Sequence, residues 1–369
     1  MAILKIAVLG AGNGGSAAAA DLTLRGYEVR LYSRSERTLR PILERGGIEL
    51  IEGDKNNFAR PVLVTSSMDE AVADAELVML AAPAVAHAEL VAAAACSLRA
   101  GQIVFLNPGH TGGSLHVASL LRALDRKIKI CETVTLTYIC RSIAPGTVEI
   151  YRRTTNLRCA AFPGKFTADL VREMARLYPS IVPAENVLET GLSNINAIMH
   201  PAGMIGNAAR IQTGDGDFYF YRDGITPAIA SVIDAVDGER LKIVERLGLS
   251  PRTFVELFYQ AGLTTERARA SGSVYEAIHE SAPNRTIKSP TTLDHRYLHE
   301  DVAYGLVPIS EMGRLAGVET RAIDGLITLA SELNRIDYRR DGLTLEKMGI
   351  AGIPPERLPA LLHEGFFET

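Results

Sequence analysis

Residues 3–9 are apolar almost throughout, as in a strand covered on both faces within a parallel sheet, and the small apolar residues at 17–24 predict a compact helix. A second strand follows at 27–32. Further strands are predicted at 77–81, 103–106 and 128–131, with helical stretches such as 86–98 and 115–124 between them. Such alternation gives an α/β fold built on a parallel, doubly wound sheet. Residues 148–151 and 158–162 read as a shorter strand pair extending that sheet, before a helix at 167–178.

From about Leu188 the pattern changes. Nothing afterwards has strand character, and amphipathic helical stretches succeed one another to Met348, which predicts an all-helical C-terminal domain. The expected domains are residues 1–187 and 188–369. No linker rich in Pro, Gly or Ser separates them, so a broad interface with a cleft is expected. The first helix of the second domain, 191–211, contains Pro201, which frees a carbonyl one turn earlier and predicts a bend near Ala197.

Composition narrows the function classes. Lys and Arg total 39 against 43 Asp and Glu, so the chain has no basic excess with which to hold a nucleic acid. The most apolar stretch, 75–98, is interrupted by Glu76, Pro83, His87 and Glu89, which excludes a bilayer-crossing run. Cys96, Cys131, Cys140 and Cys159 lack CxxC or Cys/His spacing, which argues against a zinc site or a disulfide scaffold and fits a cytoplasmic protein.

Gly10, Gly12 and Gly15 form GxGxxG directly after the first strand, with Asn13 at the start of the following helix. This is the dinucleotide-binding turn of a Rossmann-type domain: a tight bend, a backbone approach to pyrophosphate, and close packing of helix on sheet. NAD-preferring enzymes of this fold place a carboxylate at the end of the second strand, whereas here Ser33 and Arg34 stand there with Arg37 beyond. Hydroxyls and guanidinium groups suit a 2′-phosphate, so NADP is the expected cofactor, with NAD left open. Pro83 and His87 in AAPAVAH, and His110 in LNPGHTGG, follow later strands and are candidate walls of the nicotinamide pocket; each histidine could equally satisfy a backbone group.

In the helical half, Asn196, His200 and Asn207 recur at about helical spacing and define a polar face. A second titratable cluster runs from Asp294 to Asp301. His295 and His299 have the spacing of two metal ligands, but no third is indicated, so no metal is expected.

Several ordered motifs carry a resemblance. GAGNGG, LNPGHTGG, Ile139-Cys140-Arg141-Ser142, SNINAIMHP, GITP, RYLHEDVAYGLVP and LTLEKMGI together resemble the opine dehydrogenases, the octopine/nopaline dehydrogenase family, over nearly the full length. The resemblance is nearest to its bacterial N-(1-carboxyethyl)norvaline-type members. It implies reversible, NAD(P)H-dependent condensation of an amino acid with a 2-oxo acid such as pyruvate. It also implies a catalytic pair at His200 and Asp301 and a carboxylate-holding arginine at Arg296, with Asn196 as a further substrate contact. Two rivals stay open. A related reductase of a 2-oxo acid or glycerol phosphate would look to a lysine in the corresponding helical region, and none occurs between Lys165 and Lys242. A non-catalytic NADP sensor would not need His200, Arg296 and Asp301. The amine donor and physiological direction are not specified by the sequence, and a homodimer stays open.

Overall fold

A computed structural model describes residues 3–124 and 128–366. The chain forms two compact units: the first takes in residues up to Gly109, then Gly113–Thr190 and the stretch from Ala360 on; the second takes in His110–Gly112 and Gly191–Pro359.

Among its described residues the first unit contains twelve strands: β1 (Lys5–Leu9), β2 (Glu28–Tyr32), β3 (Ile48–Glu52), β4 (Lys55–Ala59), β5 (Leu63–Thr65), β6 (Leu77–Leu80), β7 (Ile103–Leu106), β8 (Lys129–Thr133), β9 (Tyr138–Ala144), β10 (Thr147–Arg153), β11 (Leu157–Phe162) and β12 (Ile181–Pro183). Eight form the main sheet in the order β5-β2-β1-β6-β7-β8-β11-β12. The pairs from β5 to β8 are parallel, and the order reverses between β1 and β6, where a doubly wound sheet opens its ligand crevice. At the far side β11 runs antiparallel to β8.

The remaining strands form a separate sheet, β4-β3-β10-β9. This corrects the expectation of a strand pair at 148–151 and 158–162, because β10 pairs with β9 and β3 while β11 joins the main sheet. The helix Asn13–Leu24 packs against both sheets, and Ala17, Ala18, Ala19 and Ala20 are all fully buried. A helix covered on every side has no room for larger side chains, which explains the alanine run. Buried Asp21 ties the helix to the small sheet by accepting from Tyr138 Oη (2.8 Å) and Arg153 Nη2 (2.7 Å). Burial opposes its charge, but those two donors outweigh it and hold the carboxyl below its ordinary pKa.

The second unit is helical, with a single isolated bridge, Tyr219 to Lys288, among its described residues. Its longest helix, Pro227–Arg246, is capped by Thr226 and carries a fully buried Arg240. That guanidinium is neutralised by Asp237 (2.6 and 2.8 Å) and donates to the Leu192 carbonyl (3.0 Å), so the buried charge is both paired and hydrogen-bonded. The expected helix at 191–211 is shorter: Asn194 caps Ile195–Gly206, and a second helix, Ala208–Thr213, follows. Ala197 therefore lies in the first turn, so Pro201 frees a carbonyl near the helix start instead of bending a long helix. Among the described residues no helix is long and apolar enough to cross a membrane.

Candidate active site

In the first unit, Gly10 sits at φ +119°, and a Cβ there would come within 2.5 Å of the Ala81 carbonyl oxygen. A Cβ on Gly15 would lie 1.7 Å from the Gly10 carbonyl, so β1 and the following helix approach too closely for any side chain. Gly12 differs: a Cβ there would meet nothing within 4 Å. Two glycines are thus required by packing, and the middle one keeps the backbone bare beside open space, as an approaching pyrophosphate requires. The residues present fit a dinucleotide. Asn13 opens the helix, and its Oδ1 accepts from Ser142 N (2.9 Å).

At the end of β2, Ser33 Oγ accepts from Ser35 N (3.2 Å), and Arg34 pairs with Glu89, both side chains remaining more than 60% exposed. Arg37 is exposed on the next helix. His87 is 1% exposed, and its Nε2 meets the Ala82 carbonyl (3.1 Å). Of the two readings left open for it, satisfying a backbone group is the one this contact matches, and the ring braces the loop containing Pro83 from inside.

In the second unit, His200 Nδ1 lies 2.7 Å from Asp301 Oδ2, with both side chains at most 5% exposed. The two are brought together because Gly305 lets one helix approach the other: a Cβ on Gly305 would come within 2.6 Å of Ala197 Cβ. Gly305 belongs to a π-helical turn, Val302–Leu306, that follows the helix Arg296–Asp301. Pro308, which cannot donate a hydrogen bond, lies just beyond this wide turn.

His200 has further partners that spacing did not reveal. Its Nε2 is 2.8 Å from Tyr221 Oη, and the Tyr297 ring stacks on it with centroids 3.7 Å apart and 17° between planes. Tyr221 Oη is also 3.4 Å from Tyr297 Oη. Burial, with Tyr297 and the Asp301 carboxylate adding to it, pushes the Tyr221 phenol well above its ordinary pKa.

Arg296 directs Nε (3.0 Å) and Nη2 (2.6 Å) to Glu300 Oε2, while its side chain stays 56% exposed. Glu300 is buried, and its other oxygen meets His110 Nε2 at 3.0 Å. Burial disfavours a charge on His110, but the Glu300 carboxylate outweighs it and raises the imidazole pKa. His110 is therefore engaged with the Arg296 cluster. Asn196 is half-buried one turn before His200, whereas Asn207 lies beyond the helix and bonds to the Gly203 (2.9 Å) and Gly224 (2.8 Å) carbonyls. The His295 and His299 rings are occupied as well: His295 accepts from Tyr297 N (3.3 Å), and His299 meets Asp294 (2.8 Å) and Tyr338 Oη (2.7 Å). No group of three potential metal ligands occurs among the described residues.

A glycine turn that fits a dinucleotide in one unit and a buried His–Asp pair in the other are features of the dinucleotide-dependent dehydrogenases. Comparison with known proteins makes the class particular. Residues 183–334 match the model for the NAD/NADP octopine/nopaline dehydrogenase alpha-helical domain, and residues 5–105 match that for NADP oxidoreductase, coenzyme F420-dependent. The opine dehydrogenase of Arthrobacter sp. (strain 1C) is 36% identical over 348 residues, covering 94% of this chain and 95% of the relative. The vitopine synthase of Allorhizobium ampelinum is 27% identical, covering 97% and 99%. A solved octopine dehydrogenase with NADH and L-arginine shares the fold at TM-score 0.79 and 20% identity, covering 99% of each chain. A yersinopine dehydrogenase with bound NADP+ does so at 0.74 and 17%, covering 98% of each. The chain belongs to the opine dehydrogenase family.

Proposed function

We propose that the protein catalyses reversible, NAD(P)H-dependent reductive condensation of an amino acid with a 2-oxo acid such as pyruvate, giving an N-(carboxyalkyl)amino acid. The observation that carries this reading is the buried His200–Asp301 pair on the same helical unit as a half-exposed arginine. Gly10, Gly12, Asn13 and Gly15 would hold the dinucleotide, whose chemistry when bound is to supply or accept hydride. His200 is the acid–base group, because an imidazole exchanges protons near neutral pH, and Asp301 fixes its tautomer and stabilises the imidazolium. Arg296 grips a substrate carboxylate with the donors that Glu300 does not use, Glu300 itself orienting the guanidinium. Asn196 is a further polar contact for substrate.

NADP is the preferred cofactor in this reading. No carboxylate ends β2, Ser33 supplies a hydroxyl, and the exposed Arg34–Glu89 pair is weak enough for a 2′-phosphate to compete for Arg34, with Arg37 nearby. Pro83 belongs to the same cofactor-facing set. The test is loss of NADPH absorbance with pyruvate, with and without a panel of amino acids, repeated with NADH. Oxidation that needs both the oxo acid and the amine supports condensation, whereas oxidation with the oxo acid alone identifies a simple keto-acid reductase. No oxidation with any pair, despite NADPH binding, would indicate a sensor.

A further inference from the structure

His110, Thr111 and Gly112 pack with the helical unit, although the chain on either side of them belongs to the first. Thr111 Oγ1 donates to the Gly191 carbonyl (3.0 Å) and accepts from Asn194 Nδ2 (3.3 Å), which ties this loop to the cap of the helix that carries His200. There His110 takes φ +57°, a left-handed backbone that a residue with a side chain adopts only at a cost. With the backbone so held, its buried ring meets Glu300 Oε1 through Nε2 at 3.0 Å, while Glu300 Oε2 takes two donors from Arg296. One carboxylate, 1% exposed, is thus divided between a guanidinium and an imidazole. With His110 neutral the three charges sum to zero; with His110 protonated they sum to one positive charge, in surroundings that screen the difference weakly.

We infer that His110 is a positioning residue for the carboxylate-holding arginine: by sharing Glu300 with Arg296 it sets how much of the guanidinium charge is left for substrate, so that binding of the 2-oxo acid is coupled to a proton on His110. The inference rests on the proposed assignment of Arg296 to a substrate carboxylate and deepens it. His110 acts through Glu300, without touching substrate. A protonated imidazole draws Glu300 charge away from the guanidinium, and the carboxylate of the oxo acid restores neutrality at the donors that Glu300 leaves. By linkage the bound anion holds the proton on His110 as firmly as the proton holds the anion. This proton is separate from the one that His200 exchanges in the reaction. The charged groups acting on the ring fix the sign: Glu300 and Asp301 favour its protonated form, Arg296 opposes it, and the balance lies above an ordinary histidine. Affinity for the oxo acid is therefore highest in mildly acidic buffer and falls as pH rises through the raised value, by up to about tenfold per pH unit, the limit for one linked proton.

The experiment compares KM for pyruvate across pH in wild type and His110→Gln, with saturating NADPH and the best amine partner. Glutamine keeps a donor for Glu300 and cannot be charged. Both enzymes meet the same amine and the same His200, so the difference between them belongs to residue 110. The variant's KM for pyruvate should be about tenfold above wild type in mildly acidic buffer and converge with it in alkaline buffer. A purely structural His110 gives an offset that is the same at every pH; that result overturns the inference, as does no offset at all. Should the variant not fold, calorimetry decides: pyruvate is bound to the NADPH complex of His200→Asn, which has lost its own titration at that position, in two buffers of different ionisation enthalpy. Uptake of up to one proton supports the coupling, and none overturns it. Arg296→Ala separates the two levels. If it leaves KM for pyruvate unchanged, the carboxylate assignment and this inference fail together; if it raises KM while His110→Gln shows no pH-dependent gap, only the inference fails.

Discussion

At the residue scale, the chemistry concentrates in a few contacts. Asp301→Asn preserves shape but removes the charge that stabilises the His200 imidazolium, so kcat should fall by roughly 10²–10⁴-fold with little change in cofactor affinity. Retained turnover would remove Asp301 from the mechanism. Arg34→Ala should raise KM for NADPH far more than for NADH; equal effects would mean that Arg34 is only the surface partner of Glu89. His110 gives a pH signature. Its pKa is raised above the ordinary 6.5 by Glu300, so its pairing stabilises the fold fully below that value and the contribution is lost as pH rises through the raised one. The melting temperature of wild type minus that of His110→Gln should accordingly be largest in mildly acidic buffer and shrink with rising pH, and a gap that does not move with pH would mean a neutral His110. Much of this scale is legible in the motifs, whose resemblance names His200, Asp301 and Arg296 as the residues proposed for the site. Tyr221 and Glu300 were not, because Tyr221 lies in what reads as an apolar stripe and Glu300 as one charge among several at a helix start. No spacing rule relates either to its partner.

At the element scale, the glycine turn joins fold and function. Gly15→Ala would force a methyl against the Gly10 carbonyl, so the helix must shift and both stability and NADPH binding should be lost. Gly12→Ala has room for its methyl, so its melting temperature should stay near wild type while NADPH affinity drops. If both variants bind normally, the turn does not hold the cofactor. The strands of the main sheet up to β8 follow from apolar runs, apart from short β5. The small sheet does not: β4, Lys-Asn-Asn-Phe-Ala, is mostly exposed, and the outer part of β9 faces solvent, so neither carries a strong hydrophobic signal. Edge strands of this kind are stabilised by their ladder partners, which periodicity does not name.

At the scale of the whole molecule, the chain end returns to the first unit: Leu361 and Leu362 are buried, Phe366 packs on Phe162 with centroids 5.0 Å apart, and Lys165 pairs with Glu364 at 3.0 Å. Removing the residues from Ala360 on exposes this patch and should lower the melting temperature by on the order of 10 °C, from about 1.5–3 kcal/mol per buried leucine. An unchanged melt would show that the segment is dispensable. The sequence by itself determined the doubly wound sheet, the helical second half and the dinucleotide turn, because local patterning acts through neighbouring residues, while the proton-transfer and carboxylate-binding groups proposed above were implied by the resemblance of its motifs. Only the tertiary structure decided that Asp301 reaches across 101 positions to His200, that Tyr221 occupies the other ring nitrogen, and that His110 shares Glu300 with Arg296. A hydrophobic pattern says which face of an element is covered but not by what, and polar partners are chosen by that covering.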